Sequence, residues 1–327
     1  MHTSSRSVSP EIASVPLVVA SDSSQSVSSK NASRTVPVQV FEGHKHWVRC
    51  VCFYADENKL VSGSSDKTLR IWDRKTGAVV EVLSGHTGTV LDVDVALDGE
   101  MVASGSADGT VRMWDGESGE ATHVCEGHEG EVRSVQFSHD SSRVVSGSEG
   151  GTVRVWSVET SELAFEPIEC HGEVFCVRYS PSGDRIASGA DSGEVVIWNS
   201  HDGEQLRTWK AHDDWITALS LSPTATHLLT SDWDENTAFV FDISTGEKVA
   251  ALKHDGNVEG IAPSPSGKLI ATGCRDHKLY LWEAPTSEDS KTTGHENAVR
   301  CVCFYPNESK LVSGSDDETL QIWNRKT

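Results

Sequence analysis

Four kinds of side chain recur in this sequence at constant offsets: a histidine, a hydroxyl residue 18 places on, an aspartate 22 places on and a tryptophan 28 places on. The full set occurs as His44, Ser62, Asp66 and Trp72; as His86, Ser104, Asp108 and Trp114; as His254, Thr272, Asp276 and Trp282; and as His295, Ser313, Asp317 and Trp323. Serine, histidine and aspartate are the parts of a nucleophilic catalyst, in which the imidazole takes the hydroxyl proton and the carboxylate fixes its tautomer. The same groups also make a closed hydrogen-bond relay. In it the indole N–H donates to the hydroxyl, the hydroxyl to one imidazole nitrogen, and the other nitrogen to the carboxylate. Copy number separates the two readings. A catalytic site is rarely built several times over in one chain, whereas a repeated structural unit needs its internal network each time. The relay is therefore the reading adopted, and no catalytic residue or enzymatic activity is expected.

The elements that hold these residues repeat with them. The histidine slot is filled by His44, His86, His128, His171, His212, His254 and His295, at spacings of 41 to 43 residues. The closing aromatic is Trp72, Trp114, Trp156, Trp198, Phe241, Trp282 and Trp323. Within the first unit, residues 48–53, 60–64 and 68–72 are rich in branched and aromatic side chains, separated by Asn, Asp and Ser clusters at 55–58 and 65–67. Short runs of this kind predict an antiparallel meander rather than helices. A period near 42 that opens on Gly43-His44 and closes on Trp72-Asp73 resembles the WD-repeat family. The resemblance implies an all-β, seven-bladed WD-repeat β-propeller with the relay buried in each blade.

The repeats fall near 43–84, 85–126, 127–169, 170–210, 211–252, 253–293 and 294–327. The last stops one strand short, while residues 35–42 read as a spare strand that Pro37 confines to an edge. The expected closure is an N-terminal strand completing the last blade, as the family does. Residues 1–34 hold 12 serines and read as a disordered tail. Three repeats depart from the pattern. The Asp slot is Gly150 in the third and Ser192 in the fourth, where Cys170 replaces the glycine before His171. The fifth closes on Phe241, carries Glu235 in the Asp slot, and has one extra residue before its aromatic.

Composition narrows the function. The formal charge is −21, so phosphate backbones are repelled, direct nucleic-acid binding is not expected, and basic protein segments are favoured. No apolar run is long enough for a membrane span, and the first residues lack the basic start and apolar core of a secretory signal. Of eight cysteines, Cys50 and Cys52 share one strand face and Cys301 and Cys303 the matching one. A four-thiolate site between adjacent blades is conceivable, but buried reduced thiols are the reading preferred. No metal, no metal-ligand cluster and no cofactor are expected, in a cytoplasmic or nuclear setting.

The binding face implied by the resemblance is the rim that carries the His and Asp loops. There the residues before each inner strand are Trp47, Thr89, Glu131, Glu173, Trp215, Asn257 and Ala298, and those before the Asp slot include Ser65, Asp191, Asp234 and Asp316. Four tryptophans do not close a repeat: Trp47, Trp209, Trp215 and Trp233. Trp209 falls in an outer strand and reads as packing. Trp215 and Trp233 share the rim of the fifth blade with Asp213, Asp214, Asp232, Asp234 and Glu235, and aromatic faces among carboxylates suit Lys or Arg side chains. With Trp47, Glu131 and Glu173, these form the candidate peptide site. The expected function is a non-enzymatic interaction scaffold for a basic or disordered peptide, acting as a monomeric propeller within a complex. The alternatives are a fixed subunit or substrate receptor of a larger assembly and, further off, a propeller hydrolase.

Overall fold

Each of the first six repeats forms one four-stranded antiparallel sheet of consecutive strands, because its short β-rich runs are joined by tight turns that favour neighbour-to-neighbour pairing. The computed structural model describes residues 37–284 and 289–324, with backbone alone for 289–293. The tail assigned to 1–34 and residues 325–327 lie outside the described residues. Among the described residues every regular element is a strand.

Blade 1 runs from the inner strand Val48–Phe53 through Lys59–Ser64 and Thr68–Asp73 to the outer strand Val79–Ser84. The inner strands of blades 2 to 6 are Val90–Val95, Val132–Phe137, Val174–Tyr179, Ile216–Leu221 and Val258–Pro263. Blade 7 comprises Val299–Phe304, Lys310–Ser315, Leu320–Asn324 and, as its outer strand, Gln39–Phe41. Gln39 pairs with Ile322 and Phe41 with Leu320, so the first strand of the chain closes the last sheet and removes its open edge. Phe41 is buried, with its ring 5.7 Å from Trp72 of blade 1. Phe53 and Tyr305 meet at 4.3 Å across the same junction.

Blades stack through a small residue in the second strand. A Cβ at Gly63 would lie 2.5 Å from Cγ1 of Val90, the first inner residue of blade 2, and one at Gly314 would lie 2.7 Å from Val48. The same contact joins Gly105 to Val132, Gly147 to Val174, Gly189 to Ile216 and Gly273 to Val299. Blade 5 has Ser231 at this position, and its Oγ donates to the Val258 carbonyl at 3.1 Å.

All seven inner strands carry a bulge after their first residue. The residues skipped by the ladder are Arg49, Leu91, Arg133, Phe175, Thr217, Glu259 and Arg300. A bulge re-aims the side chain it skips, and these seven line a central cavity of about 260 Å³.

Candidate functional site

The relays are intact in blades 1, 2 and 7. In blade 2, Trp114 Nε1 donates to Ser104 Oγ at 2.9 Å, Ser104 Oγ and His86 Nε2 are 2.8 Å apart, and His86 Nδ1 is 2.8 Å from Asp108 Oδ2. The ionised carboxylate only accepts, so Nδ1 carries the proton and Nε2 receives the hydroxyl. Blade 7 gives 2.8, 2.6 and 2.8 Å for the same three contacts among Trp323, Ser313, His295 and Asp317, and blade 1 gives 2.9, 2.8 and 2.9 Å. Burial pushes the Asp108 carboxyl up, but hydrogen bonds from Thr110, the Thr87 amide and His86 outweigh it and hold it well below the usual carboxylate range. Burial likewise holds His86 below its ordinary value, which keeps it neutral. Ser62, Ser104 and Ser313 are sealed from solvent and bonded on both sides, so none of them is an accessible nucleophile.

Elsewhere the network is altered. In blade 3, where Gly150 offers no carboxylate, His128 Nδ1 turns to Thr152 Oγ1 at 3.0 Å. Burial first, then the Arg154 guanidinium, lowers its pKa to about 3. In blade 4 the Trp198 indole donates to Ser188, but His171 is exposed and takes no part. The complete relay expected in blade 6 is corrected. His254 Nε2 meets Thr272 at 2.7 Å, and Trp282 donates to the same hydroxyl. Its Nδ1 has no hydrogen-bond partner, because Tyr280 donates to Asp276 at 2.5 Å and Lys278 pairs with it at 3.2 Å. The cause is the residue two before the closing aromatic. It is Arg70, Arg112 or Arg154 in blades 1 to 3, each lying over its own tryptophan, but Phe239 and Tyr280 in blades 5 and 6, where it packs on the histidine at 4.9 and 4.8 Å.

Blade 5 departs furthest. His212 Nε2 reaches Thr230 at 2.8 Å. The carboxylate facing Nδ1 belongs to Asp232, not to the Asp-slot residue Glu235, and the two atoms stand 3.2 Å apart without hydrogen-bond alignment. Asp232 occupies the place where Ser64, Ser106, Ser148 and Ser315 sit in other blades, so a carboxylate enters where a small hydroxyl is usual. Its assignment to the exposed peptide site is corrected: Asp232 is 1% exposed. Burial raises its pKa to about 6, helped by Glu235, Asp214 and Asp234 and opposed by the Glu235 amide. Burial and Lys248 lower His212 to about 4.

The rim is built by one repeated backbone bond. The amide after the second strand donates to the carbonyl before the inner strand, as in Ser65 to Trp47, Glu149 to Glu131, Asp191 to Glu173 and Asp316 to Ala298. In blade 5 this amide is that of Trp233, not Asp234, since the extra residue shifts the loop, and it donates to Trp215 at 3.0 Å. The two indoles are 44% and 42% exposed with centroids 6.4 Å apart. Trp215 also stacks on Phe175 of blade 4 at 5.4 Å and 13°. Arg133 lies 5.5 Å over Phe175 and Arg275 lies 3.8 Å over Trp233. An unbroken row from Arg133 through Phe175, Trp215 and Trp233 to Arg275 thus spans blades 3 to 6.

Two other site residues are already engaged by cations of the chain itself. Trp47 faces Arg49 at 4.9 Å and Arg300 at 5.8 Å, and Glu131 pairs with Arg133 at 3.1 Å. Glu173 is half-buried at the mouth of blade 4. Asp213, Asp234 and Glu235 are exposed and Asp214 half-buried, and among the described residues no Lys or Arg forms an ion pair with any of the four.

Three groups escaped the sequence reading. One is the bulged ring at the channel mouth. Another is the channel trio, in which Arg178 meets Asp92 at 3.2 Å and burial raises Asp94 to about 6. The third is a cluster of His212, Asp232 and Glu235, which bring one donor atom each within 4.8 Å of one another. The cysteines are free thiols, with Cys303 pushed to about 12 by burial and then by Asp94.

A family model described as IFT122 first beta-propeller matches residues 69–239. One described as WD domain, G-beta repeat matches 35–73, 246–283 and 288–324. Nuclear distribution protein PAC1 of Arthroderma benhamiae is 33% identical over 38% of this chain and 32% of that protein. Poly(A)+ RNA export protein of Schizosaccharomyces pombe is 31% identical over 34% and 33%, and nuclear distribution protein nudF of Aspergillus niger 27% over 38% and 33%. The chain spans about a third of the length of these curated relatives.

Proposed function

We propose that this chain, which belongs to the WD-repeat β-propeller family, is a non-enzymatic protein-interaction scaffold whose partner segment is basic and docks on the rim of blade 5. The observation that carries the reading is the exposed Trp215–Trp233 pair beside four carboxylates that, among the described residues, form no ion pair with a Lys or Arg. Rigid aromatic faces supply contact area at little entropic loss, and the acids supply charge complementarity to Lys and Arg. Because Arg275 already covers Trp233, the cations of the partner go to Asp213 and Asp234, while its apolar stems lie along Trp215 and the edge of Trp233.

A ring of seven stacked sheets gives these loops a stiff frame, which suits recognition rather than chemistry. The sealed hydroxyls of the relays argue against hydrolysis by those groups. The test is a titration of Lys/Arg-rich peptides against wild type and the Asp213→Lys, Asp234→Lys double variant. Association should slow in the variant, and the difference should shrink as salt rises. Equal association rates at low salt would refute the acidic-rim reading.

A further inference from the structure

The broken relay of blade 5 has the chemistry of a cation site. In blades 1, 2 and 7 the imidazole Nδ1 and the carboxylate are joined by hydrogen bonds of 2.8 to 2.9 Å. In blade 5 the same pair, His212 Nδ1 and Asp232 Oδ2, stands 3.2 Å apart, and neither atom has a hydrogen-bond partner although both side chains are almost wholly buried. Two buried polar atoms facing each other without a hydrogen bond are unfavourable unless a third group satisfies both. Donors bound to one Zn²⁺ at about 2.0–2.2 Å in tetrahedral geometry are separated from each other by roughly 3.2–3.6 Å. The observed gap falls at the edge of that range.

A third donor is at hand. A carboxylate oxygen of Glu235 lies within 4.8 Å of the other two atoms. Glu235 is exposed, so its side chain is free to turn inward, and the loop that carries it is pinned by its own amide, which donates to Asp232 Oδ1 at 2.7 Å. Asp232 therefore offers Oδ2 to the site while Oδ1 fixes the position of Glu235. Asp214 and Asp234 act electrostatically on Asp232, and Asp213 on His212, so their charges attract cations to the site.

We propose that His212, Asp232 and Glu235 form a binding site for a divalent transition-metal ion of the zinc class, with one nitrogen and two carboxylate donors and a remaining position open to water. Such a donor set matches the histidine and carboxylate ligands that Zn²⁺ accepts. The ion would take the structural place that the Nδ1-to-carboxylate hydrogen bond fills in the intact blades, and would tie the extended loop 232–236 to the blade. The inference does not depend on the peptide-binding reading, and its measurement contains no peptide.

The test uses the full chain, stripped with EDTA and titrated with Zn²⁺ alone by calorimetry, with thermal midpoints recorded with and without the ion. The expected result is one equivalent bound by wild type, a midpoint raised by Zn²⁺ and returned by EDTA, and affinity at least tenfold weaker in Glu235→Gln. That substitution alters an exposed side chain and leaves the His212–Thr230 contact in place, so the variant is expected to fold. Absence of stoichiometric binding would overturn the proposal. So would equal Zn²⁺ affinity in wild type and Glu235→Gln, which would place the ion elsewhere, for instance on thiols.

Discussion

Substituting histidines around the ring separates a structural relay from a set of coincident residues, because the blades differ in what each imidazole holds. His86→Ala removes two buried partners at once. Ser104 is fully buried, and its hydroxyl loses its only acceptor while still receiving the Trp114 indole, a loss of about 1–3 kcal/mol. Asp108 loses one charged bond but keeps Thr110 Oγ1 at 2.6 Å and the amides of Thr87 and Thr110 at 2.8 and 3.0 Å, so its share falls at the low end, about 1–1.5 kcal/mol. The vacated ring volume beside Trp114 adds a cavity contribution of about 1 kcal/mol. The expected loss is roughly 3–5 kcal/mol. In blade 3 the partners are the neutral hydroxyls of Ser146 and Thr152, so His128→Ala should be milder by about 1 kcal/mol. His171 is exposed and outside the relay, and its replacement should fall within about 0.5 kcal/mol of wild type. Urea midpoints with unchanged slopes measure the series. A loss at His128 larger than at His86, or a loss at His171 comparable to either, would refute the reasoning.

Three further outcomes follow from the same geometry. Phe41→Ala, which empties the buried side chain of the closing strand, should lower stability by about 3–5 kcal/mol, whereas the exposed Val40→Ala should change it by less than about 0.5 kcal/mol; equal urea midpoints for the two would remove the case for closure. Below pH 6.5 the unfolded chain protonates His128 while the fold resists until about pH 3, so this residue drains stability as pH falls through that window. His128→Gln should reduce the loss between pH 7 and pH 5 by about 2 kcal/mol, and an unchanged loss would contradict a buried neutral imidazole. Asp317 acts in the same direction over a lower window: burial pushes it up, but His295, Thr319 and the Glu296 amide hold it to about 2, so its stabilisation is present above the ordinary carboxylate value of 3.8 and fades only between there and about pH 2. Asp317→Asn should therefore flatten the stability profile below pH 4 and leave the slope between pH 5 and 7 unchanged.

The parts of this fold legible in the sequence are those enforced by repetition. Seven histidine slots and seven closing aromatics fix the number of blades, and the branched residues around Pro37 mark a strand without a blade of its own. The relay partners were readable where all four side chains were present and the neighbouring slot held arginine or, at Gln321, an amide. They were not readable in blade 6, because Tyr280 competes for Asp276, and a competition between two donors for one carboxylate is decided by local geometry. The same holds in blade 5. Glu235 fills the Asp slot by counting, yet Asp232 reaches His212 because it replaces a serine whose side chain already points inward. Trp215 and Trp233 were assigned to one rim from their spacing, but the row they belong to was not, since Phe175, Arg133 and Arg275 come from three other blades. The clue available was the alternation of the inner strands. Position two of each, the residue the ladder skips, lines the central cavity.

The direct test of the scaffold reading is the affinity of one basic peptide, selected on the wild-type chain, for Trp215→Ala, Trp233→Ala and Trp209→Ala. Trp209 is half-buried in the outer strand Gln205–Lys210, 6.1 Å from Phe241, away from the rim pair. Truncation of a rim aromatic that anchors a partner should weaken binding by about 1–2 kcal/mol or more. Trp209→Ala should lower the urea midpoint and leave the dissociation constant of the folded chain unchanged. Wild-type affinity in both Trp215→Ala and Trp233→Ala, with the peptide still bound, would contradict the assignment of the blade 5 rim as the docking surface.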